Sequence, residues 1–583
     1  MDKEALLAAA EEYLKQETHD TFRHGVEELI RRESFDELYE RFYTNLTFGT
    51  GGLRGIIGGG FNRMNPFVVR RATQGVANYI RKNAGGEPPS IVIAYDSRRY
   101  SDLFAEEAAL VLAANGIKTY LFMGLRPTPE LSYAVRYLEA TAGIVVTASH
   151  NPPEYNGYKV YWEDGGQIVA PHDKGIVQEA LSVTDIRSIT REEALDRGVL
   201  FMIDREIDDA FTEMVKSRAV RPDLIREKGG DIKVVFTPLH GAGAVPVSRA
   251  LSEMGIKVIF VEEQRAPDGD FPTVKKPNPE EAEALSLALD LARRVEADLV
   301  LATDPDADRL GIAVPDNGSY RLVTGNQLGV LLADYIFSSR AERGTLPEKP
   351  AFVKTIVTTE LQRRIAESYG ARCFDTLTGF KYIAAKIREF ESNGEGLEYV
   401  FGGEESYGYL VETETRDKNA VSAATMTAET ALYHLSQGRT VLEQLNRIWE
   451  KYGYFEETLI SQSFEGSAGM ETMKALMEEL RRNPPRSFGT EQVMEMRDYR
   501  ERTVLNPETG QTEPGADLPT SDVLQFVLAK GDLVTVRPSG TEPKIKLYAS
   551  CGGEPGGDLE TAKATVGARM SDIRQALEQI IKG

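Results

Sequence analysis

Short apolar runs alternate with longer amphipathic stretches along most of the chain, a pattern typical of alternating strands and helices. The first part predicts helices over 1–45 and near 66–83, 102–115 and 129–138, and strands over 90–97, 118–124 and 142–146. The glycine-rich segment LTFGTGGLRGIIGGG (46–60) predicts a loop whose backbone can approach a ligand. Strands that alternate with helices favour a parallel α/β layer.

The same rhythm begins again twice and then changes. The second round predicts strands at the start of 233–244, over 257–263 and over 298–304, with a helix near 279–294. The third predicts a helix over 326–339 and strands over 351–359 and 399–406. The last part predicts antiparallel strands with two helices, and a long loop over 484–520. We therefore predict three related α/β domains (1–215, 216–320 and 321–454), followed by a C-terminal α+β domain (455–583).

Composition excludes several classes of partner. The 583 residues are too many for one core, and the net charge of −22 argues against nucleic acid or an anionic membrane as partner. No apolar run approaches the roughly 20 residues of a membrane helix, and the acidic N-terminus does not resemble a signal peptide. Cys373 and Cys551 lie far apart, which suits a reducing cytoplasm. We expect a cytoplasmic protein, and a small anionic substrate stays possible.

The segment TASHNPPEYNGYK (147–159) raises the first chemical question. Its two adjacent prolines cannot continue a β-ladder, so Ser149 is expected on a rigid turn at the carboxyl end of a strand. A serine there is a nucleophile, a phosphate acceptor or only a turn residue. We expect no Ser–His pair, because adjacent side chains of an extended segment point apart and His150 would face away. Lys159 lies beyond the turn and could curl back towards the serine.

The segment DPDADR (304–309) is the sharpest metal signal. Asp304, Asp306 and Asp308 alternate just after a buried strand, so their carboxylates can converge on one hard cation. The segment is not an EF-hand, since Arg309 stands where that loop requires glycine. Three carboxylates leave room for water or phosphate oxygen, which favours Mg²⁺ over Zn²⁺.

Two further loops could bind parts of a sugar phosphate. In GGEESYG (402–408), Glu404 and Ser406 could face one way and contact neighbouring hydroxyls, and RPSGTE (537–542) offers a guanidinium, hydroxyls and backbone N–H groups to an anion. Cations stand in or beside these glycine-rich loops at Arg54, Arg309, Lys381, Arg416, Lys418, Arg537, Lys544 and Lys546. In so acidic a chain, this clustering favours an anionic ligand where the loops meet.

Four motifs in this order, TASHNP (147–152), DPDADR (304–309), GEESYG (403–408) and RPSGTEP (537–543), resemble those of the α-D-phosphohexomutase family and, within it, the phosphoglucomutase branch. The resemblance covers nearly the whole chain. It implies a heart-shaped, four-domain architecture in which the three α/β domains have mixed sheets. It also implies an intramolecular phosphotransferase of the isomerase class that interconverts glucose 1-phosphate and glucose 6-phosphate, as a monomer or weak homodimer.

The resemblance also implies roles for single residues. Ser149 would carry the phosphoryl group, and its phosphate would bind one Mg²⁺ per chain together with the three aspartates. Arg309 would lie beside the transferring phosphate, and Lys159 is the candidate general acid/base. His150 would contact either the serine loop (147–159) or the phosphate. Glucose 1,6-bisphosphate would be intermediate and activator. The family positions that would contact the phosphosugar are Thr50, Arg54, Lys381, Glu404, Ser406, Lys418, Arg537, Ser539, Gly540 and Thr541.

Two departures and several alternatives accompany this prediction. The GEESYG form, rather than GEMSGH, favours glucose over mannose, and Asn419 stands where many relatives have aspartate, which affects the expected sugar contacts. A phosphopentomutase acting on ribose or deoxyribose 1-phosphate is the nearest alternative, followed by a phosphomannomutase and an enzyme that makes glucose 1,6-bisphosphate. A phosphatase gains nothing from a second phosphate site, and a sugar-phosphate sensor needs neither Ser149 nor all three aspartates.

Overall fold

The computed structural model describes residues 1–49, 52–83, 88–464, 467–538 and 544–582. These residues form two compact units. The first unit comprises Met1–Val323, Ala384–Ser392 and Gly408–Tyr433, and the second comprises Thr324–Ile383, Asn393–Tyr407 and His434–Gly583. Within the described ranges, no helix is long and apolar enough to cross a membrane.

The first unit begins with the predicted helices, α1 (Lys3–Gln16), α2 (Asp20–Arg31) and α3 (Phe35–Phe42). The Asp2 side chain caps α1 by accepting a hydrogen bond from the Ala5 N–H at 2.8 Å. Leu6, Ala10 and Tyr13 are buried at helical spacing. These helices therefore join the core of the first sheet rather than form a separate body.

That first sheet is mixed, as predicted. Its elements are β1 (Gly52–Ile56), α4 (Pro66–Asn83), β2 (Ser90–Tyr95), α5 (Ser101–Ala114), β3 (Lys118–Phe122), α6 (Thr128–Tyr137), β4 (Ala142–Val146), β5 (Tyr155–Trp162), α7 (His172–Leu181), α8 (Arg191–Asp196) and β6 (Leu200–Ile203). The strand order is β1-β5-β4-β2-β3-β6, in which β5 runs antiparallel to β1 and β4. Because β2 and β4 are parallel, the loops after them lie at the same edge.

A second mixed sheet completes most of the first unit. Its elements are α9 (Arg205–Ser217), α10 (Pro222–Lys228), a short 3₁₀ turn (Gly229–Asp231), β7 (Val234–Thr237), α11 (Ala244–Glu253), β8 (Val258–Phe260), α12 (Glu262–Arg265), α13 (Ser286–Val295), β9 (Leu299–Thr303), β10 (Leu310–Asp316) and β11 (Ser319–Val323). The order is β11-β10-β9-β7-β8. The segment DPDADR (304–309) directly follows the carboxyl end of β9.

The third set of elements repeats the α/β pattern. It contains α14 (Gly325–Glu342), β12 (Pro350–Thr355), α15 (Glu360–Ser368), β13 (Arg372–Thr376), α16 (Phe380–Ser392), β14 (Glu398–Glu404), β15 (Gly408–Leu410), α17 (Ala420–Ser436) and α18 (Val441–Tyr452). In the second unit, β12 pairs in parallel with β13 and β14. The chain contributes residues 408–433, with β15 and most of α17, to the first unit.

The C-terminal part is an α+β sheet, as predicted. Its elements are β16 (Phe455–Ser463), α19 (Ser467–Arg482), β17 (Ser487–Phe488), β18 (Glu491–Asp498), β19 (Thr503–Leu505), β20 (Thr512–Pro514), β21 (Leu524–Leu528), β22 (Leu533–Pro538), β23 (Lys544–Gly552) and α20 (Leu559–Lys582). The antiparallel order is β16-β23-β22-β21-β18-β19-β20.

Three local predictions were wrong. The proposed loop over 484–520 contains β17 to β20, and the proposed loop over 46–60 contains β1. Both stretches are polar or glycine-rich. The alternation of buried and exposed residues in β1 and β18 therefore does not appear as an alternation of apolar and polar residues in the sequence. The helix expected near 279–294 begins only at Ser286, because proline-containing turns occupy 277–285.

Candidate functional site

Ser149 lies buried on the turn after β4 in a left-handed conformation, with φ of 51°. Its N–H donates to Thr147 Oγ at 2.8 Å, and the Thr147 hydroxyl donates to Asp96 Oδ2 at 2.6 Å. Its own hydroxyl donates to Asp304 Oδ2 at 2.6 Å. The predicted rigid turn therefore aims the serine at the predicted metal site.

Arg98, which none of the sequence motifs contains, supports this turn through hydrogen bonds. The buried guanidinium donates to the carbonyl oxygens of Ser149 and Asn151, and to those of Pro152 at 2.9 Å and Tyr155 at 3.0 Å. It also pairs with Asp96 at 3.5 Å. The position of Arg98 in the sequence could have indicated this role. Arg98 follows β2 and Ser149 follows β4, and the loops after parallel neighbouring strands lie at the same edge of the sheet.

His150 lies closer to the serine than expected. Its Nδ1 is 3.2 Å from Ser149 Oγ, so the expectation that the two side chains diverge was wrong. The left-handed backbone of Ser149 breaks the extended conformation on which that expectation depended. Burial, and then the charges of Arg309 and Arg54, hold the pKa of His150 well below its usual range. The low pKa favours the neutral imidazole, in which one ring nitrogen can accept a hydrogen bond.

Asp304, Asp306 and Asp308 converge after β9, as the spacing predicted. All three are buried, and one oxygen from each lies within 4.8 Å of the others. Asp304 Oδ1 accepts the N–H groups of Asp308 and Arg309, each at 3.0 Å, which closes the loop. Burial and the like charges of the other two aspartates raise the pKa of Asp304 well above its usual range.

The oxygens of this cluster fit a hard cation. Asp306 Oδ1 and Asp308 Oδ1 are buried and have no hydrogen-bond partner among the residues that the structure describes. A buried carboxylate oxygen without a donor is costly, and a cation would satisfy it. An all-oxygen donor set is the kind that Mg²⁺ binds.

The loop that carries the three aspartates (304–309) accepts hydrogen bonds from three other segments of the chain. Thr128 donates its hydroxyl to Asp306 Oδ2 at 2.8 Å and its N–H to the Asp306 carbonyl at 2.9 Å. The N–H of Ala242 donates to the Pro305 carbonyl at 2.7 Å, and that of Ala420 donates to the Ala307 carbonyl at 3.1 Å. The cluster therefore has a fixed geometry.

Several of the predicted cations lie around the cluster. Lys159 Nζ is 2.8 Å from Asp306 Oδ2 and Lys418 Nζ is 3.1 Å from Asp308 Oδ2. Arg309 forms an ion pair with Glu280, and Arg54 donates to the Asn151 side chain at 3.1 Å. Burial alone would lower the pKa of Lys159, but Asp306 and Asp308 outweigh it and raise that pKa, so the ammonium form is favoured.

Asn419 has a role that the sequence comparison did not suggest. Its side chain donates to buried Glu412 at 2.5 Å and accepts the N–H groups of Val421 and Ser422 at 3.0 and 3.2 Å. It therefore caps α17. An aspartate at this position would place a second carboxylate against Glu412, so the amide suits this loop.

Arg416 does not belong to the ligand-facing cations. It is fully buried and forms an ion pair with Glu391. Its N–H donates to Ser132 Oγ at 2.7 Å, which fixes the loop before Lys418. The prediction that Arg416 helps to bind an anion is therefore wrong, and its role is to hold the loop in place.

The remaining predicted positions lie in the second unit or outside the described residues. Glu404 ends β14 and accepts the Gly379 N–H at 2.8 Å, which ties it to the loop before Lys381. Ser406 lies on the turn after β14, and Arg537 on β22 is opposite Lys546 on β23. Thr50, Ser539, Gly540 and Thr541 lie outside the described residues.

Family models match four successive parts of the chain. Residues 45–187, 209–318 and 324–452 match domains I, II and III described as "Phosphoglucomutase/phosphomannomutase, alpha/beta/alpha", and residues 479–554 match the C-terminal domain of the same family. The matched order agrees with the α/β, α/β, α/β and α+β order predicted from sequence.

Known proteins resemble this chain over most of its length. A phosphoglucomutase of Staphylococcus saprophyticus is 36% identical over 531 residues, 90% of this chain and 94% of that protein. A phosphoglucomutase of Staphylococcus aureus strain USA300 is 36% identical over 562 residues, 94% of this chain and 95% of that protein. The crystal structure of the phosphoglucomutase pp63/parafusin from Paramecium shares the fold, with a TM-score of 0.66 at 18% identity, covering 92% of this chain and 96% of that one.

Proposed function

Because the chain belongs to the phosphoglucomutase/phosphomannomutase family of phosphohexomutase enzymes, we propose that it interconverts glucose 1-phosphate and glucose 6-phosphate. The observation that carries the proposal is the 2.6 Å hydrogen bond between Ser149 Oγ and the buried aspartate cluster. This hydrogen bond places the serine hydroxyl beside the candidate cation site. A phosphoryl carrier needs a nearby cation to stabilise the charge of the transferring phosphate. The relatives named phosphoglucomutase support glucose as the sugar.

In the proposed reaction, phosphorylated Ser149 transfers its phosphoryl group to the free hydroxyl of the sugar phosphate. The bond from phosphorus to Ser149 Oγ breaks, a bond to the sugar oxygen forms, and the hydroxyl proton passes to a base. The product is glucose 1,6-bisphosphate, which turns in the site and returns its other phosphate to Ser149. Free glucose 1,6-bisphosphate would activate the enzyme by phosphorylating Ser149.

Individual residues have distinct proposed tasks. His150, whose Nδ1 lies 3.2 Å from Ser149 Oγ, would orient the serine oxygen when the phosphate returns. Lys159 is the candidate general acid/base, and its raised pKa means that it enters the cycle as the ammonium form. One Mg²⁺ per chain, held by Asp304, Asp306, Asp308 and the phosphoserine, would supply Lewis-acid stabilisation of the transferring group.

The rest of the site would bind and orient the sugar phosphate. We assign the reacting end to Arg54, Arg309 and Lys418, and the hydroxyls to Glu404 and Ser406. Thr50 and Lys381 would contact the phosphosugar, and the non-reacting phosphate would bind at Arg537, Ser539, Gly540 and Thr541. A site that needs only a phosphate accepts either orientation of the bisphosphate. We propose that the enzyme works in the cytoplasm as a monomer or weak homodimer.

The test is to replace Ser149 by alanine. Wild-type protein treated with glucose 1,6-bisphosphate and Mg²⁺ should gain one phosphoryl group by intact mass, and Ser149→Ala should gain none. Mutase activity should fall by about 10³-fold or more, because the covalent step is lost. Ser182→Ala, which removes an exposed hydroxyl bonded to its own helix, is the matched control and should remain active. A fully active Ser149→Ala enzyme would refute the proposal.

A substrate panel tests the sugar. Glucose, mannose and ribose 1-phosphates are compared by kcat/KM with Mg²⁺ and the bisphosphate present. Glucose should lead. A pentose preferred tenfold, about 1.4 kcal/mol in transition-state binding, would show that the sugar assignment is wrong. Steady release of inorganic phosphate would indicate a phosphatase instead.

A further inference from the structure

The loop before α17 places another buried carboxylate beside the aspartate cluster. Asp417 Oδ2 accepts the Tyr161 hydroxyl at 2.7 Å. Asp417 Oδ1 accepts the N–H of Lys418 at 2.8 Å and its ammonium at 3.0 Å. The same ammonium is 3.1 Å from Asp308 Oδ2. Lys418 is therefore shared between Asp417 and a predicted cation ligand.

The loop that carries this pair is fixed on both sides. Arg416 is anchored through its N–H to Ser132, at 2.7 Å. The N–H of Ala420 donates to the carbonyl of Ala307, inside the metal-site loop, at 3.1 Å. Asn419 caps the helix that follows. The lysine charge is consequently held at a set distance from the cluster.

A fixed ammonium beside a cation site opposes the cation. Charges about 3 Å apart in a buried site interact strongly, because little water screens them. Lys418 is close enough to Asp308 to reduce the negative potential that would attract a divalent ion. Asp417 offsets this effect, since its carboxylate lies at a similar distance from the same ammonium.

We propose that Asp417 is a positioning residue that sets the cation affinity of the Asp304–Asp306–Asp308 cluster by holding and neutralising Lys418. The inference rests on the proposed function only in taking these aspartates as the cation site. Tyr161 fixes the orientation of Asp417 from β5, and none of these contacts requires a bound sugar. Asp417 thus acts on the cation through Lys418 and not as a ligand.

The experiment measures Mn²⁺ binding to full-length protein whose Ser149 is shown by mass to be unphosphorylated. Free Mn²⁺ is followed by electron paramagnetic resonance, with no sugar present. Asp417→Asn should raise the Kd for Mn²⁺ by about fivefold, because an unbalanced ammonium is left beside Asp308. Lys418→Met should lower the Kd by a similar factor, because the opposing charge is removed.

A double variant and a control distinguish this effect from general damage. Asp417→Asn/Lys418→Met keeps the pair neutral, so its Kd should return to within about twofold of wild type. Glu414→Gln makes the same charge change at a more exposed position of the loop and should leave the Kd unchanged. If Asp417→Asn fails to fold, the double variant should still bind Mn²⁺ more weakly than Lys418→Met.

Opposite shifts in the two single variants would support the proposal. Shifts in the same direction, or no shift in either, would overturn it, because a merely structural role predicts weaker binding in both. The outcome is independent of mutase activity. Loss of the glucose assignment would leave these Kd values untouched, and failure of the Kd test would leave the mutase assay untouched.

Discussion

The backbone of Ser149 adopts a left-handed conformation that a non-glycine residue rarely takes, at a cost of about 1–2 kcal/mol. Hydrogen bonds from Arg98 to the carbonyl oxygens of the loop offset this cost and fix the direction of the serine hydroxyl. The planar guanidinium presents several donors in a fixed fork. Arg98, whose side chain is fully buried, thus positions the proposed phosphoryl carrier through the backbone of its loop.

Replacing Arg98 by lysine should therefore harm catalysis more than binding. A lysine ammonium cannot span the same set of carbonyl groups, so Ser149 should lose its fixed aim. We expect kcat to fall by about 10²-fold, with KM changed less than threefold, and the phosphorylation of Ser149 by glucose 1,6-bisphosphate to slow in parallel. Steady-state kinetics and intact mass measure these effects.

Arg99→Lys provides the matched control. Arg99 is the next residue in the chain, is half-exposed and pairs with Asp270, so its replacement should leave kcat near the wild-type value. An Arg98→Lys enzyme with wild-type kcat would show that the guanidinium contacts do not position the serine.

For single residues, the sequence motifs predicted the reactive side chains better than they predicted the residues that hold those side chains in position. Asp304, Asp306 and Asp308 could be found because carboxylate spacing after a strand has a direct chemical meaning. The roles of Asn419 and His150 could not, because they depend on which groups the fold brings opposite them. Asn419 faces Glu412, and His150 reaches Ser149 only through a left-handed turn.

Among the elements, the N-terminal helices pack closely on the segment that follows β1. A Cβ on Gly59 would lie 2.4 Å from the Phe22 carbonyl oxygen and 2.6 Å from Val26 Cγ2, both in α2. Arg41 of α3 donates to the Gly59 carbonyl at 3.1 Å. The helices thus support the segment after the strand that carries Arg54.

Gly59→Ala should destabilise this contact. The added methyl group cannot be accommodated against backbone, so we expect a loss of about 1–3 kcal/mol and a lower Tm. Gly25→Ala is the control, because a Cβ at Gly25 meets nothing within 4 Å and alanine favours the helix. Thermal unfolding followed by circular dichroism measures both variants. Equal Tm values for the two would show that α2 and the Gly59 segment are not tightly packed.

Prediction of the elements depended on how apolar they are. The strands β2, β4 and β9 are buried over most or all of their length, so their apolar runs identified them. By contrast, β1 contains two glycines, and the apolar residues of β18 do not alternate regularly with its polar ones. Their strand character comes from pairing with β5 and β21, which local sequence does not reveal.

For the whole molecule, net charge does not predict the local charge of the candidate site. The chain carries a net charge of −22, yet cations and carboxylates alternate within a few ångströms around the aspartate cluster. The fold class and the family could be predicted because the motifs occur in order. The four domain boundaries predicted from sequence stay a prediction, since the described residues group into two units by contact.

Net charge also does not determine how stability depends on pH, because that dependence comes from groups whose pKa changes on folding. Glu457 of β16 is such a group. Burial raises its pKa from 4.5 to about 7, and a hydrogen bond from Thr359 opposes the shift. Its Oε1 atom is buried without a hydrogen-bond partner among the described residues. The folded protein therefore binds a proton at Glu457 that the unfolded chain releases near pH 4.5.

The sign of the effect follows. Between pH 4.5 and about 7 the folded state holds more protons at Glu457 than the unfolded state, so this residue makes stability fall as pH rises. The slope has a limit of about 1.4 kcal/mol per pH unit for one proton. Glu457→Gln removes the titrating group, so its stability relative to wild type should increase from pH 5 to pH 7.5. Glu554→Gln, at an exposed position, should follow the wild-type curve. Tm values across this pH range measure the difference, and parallel curves for wild type and Glu457→Gln would mean that Glu457 is ionised in the folded protein throughout.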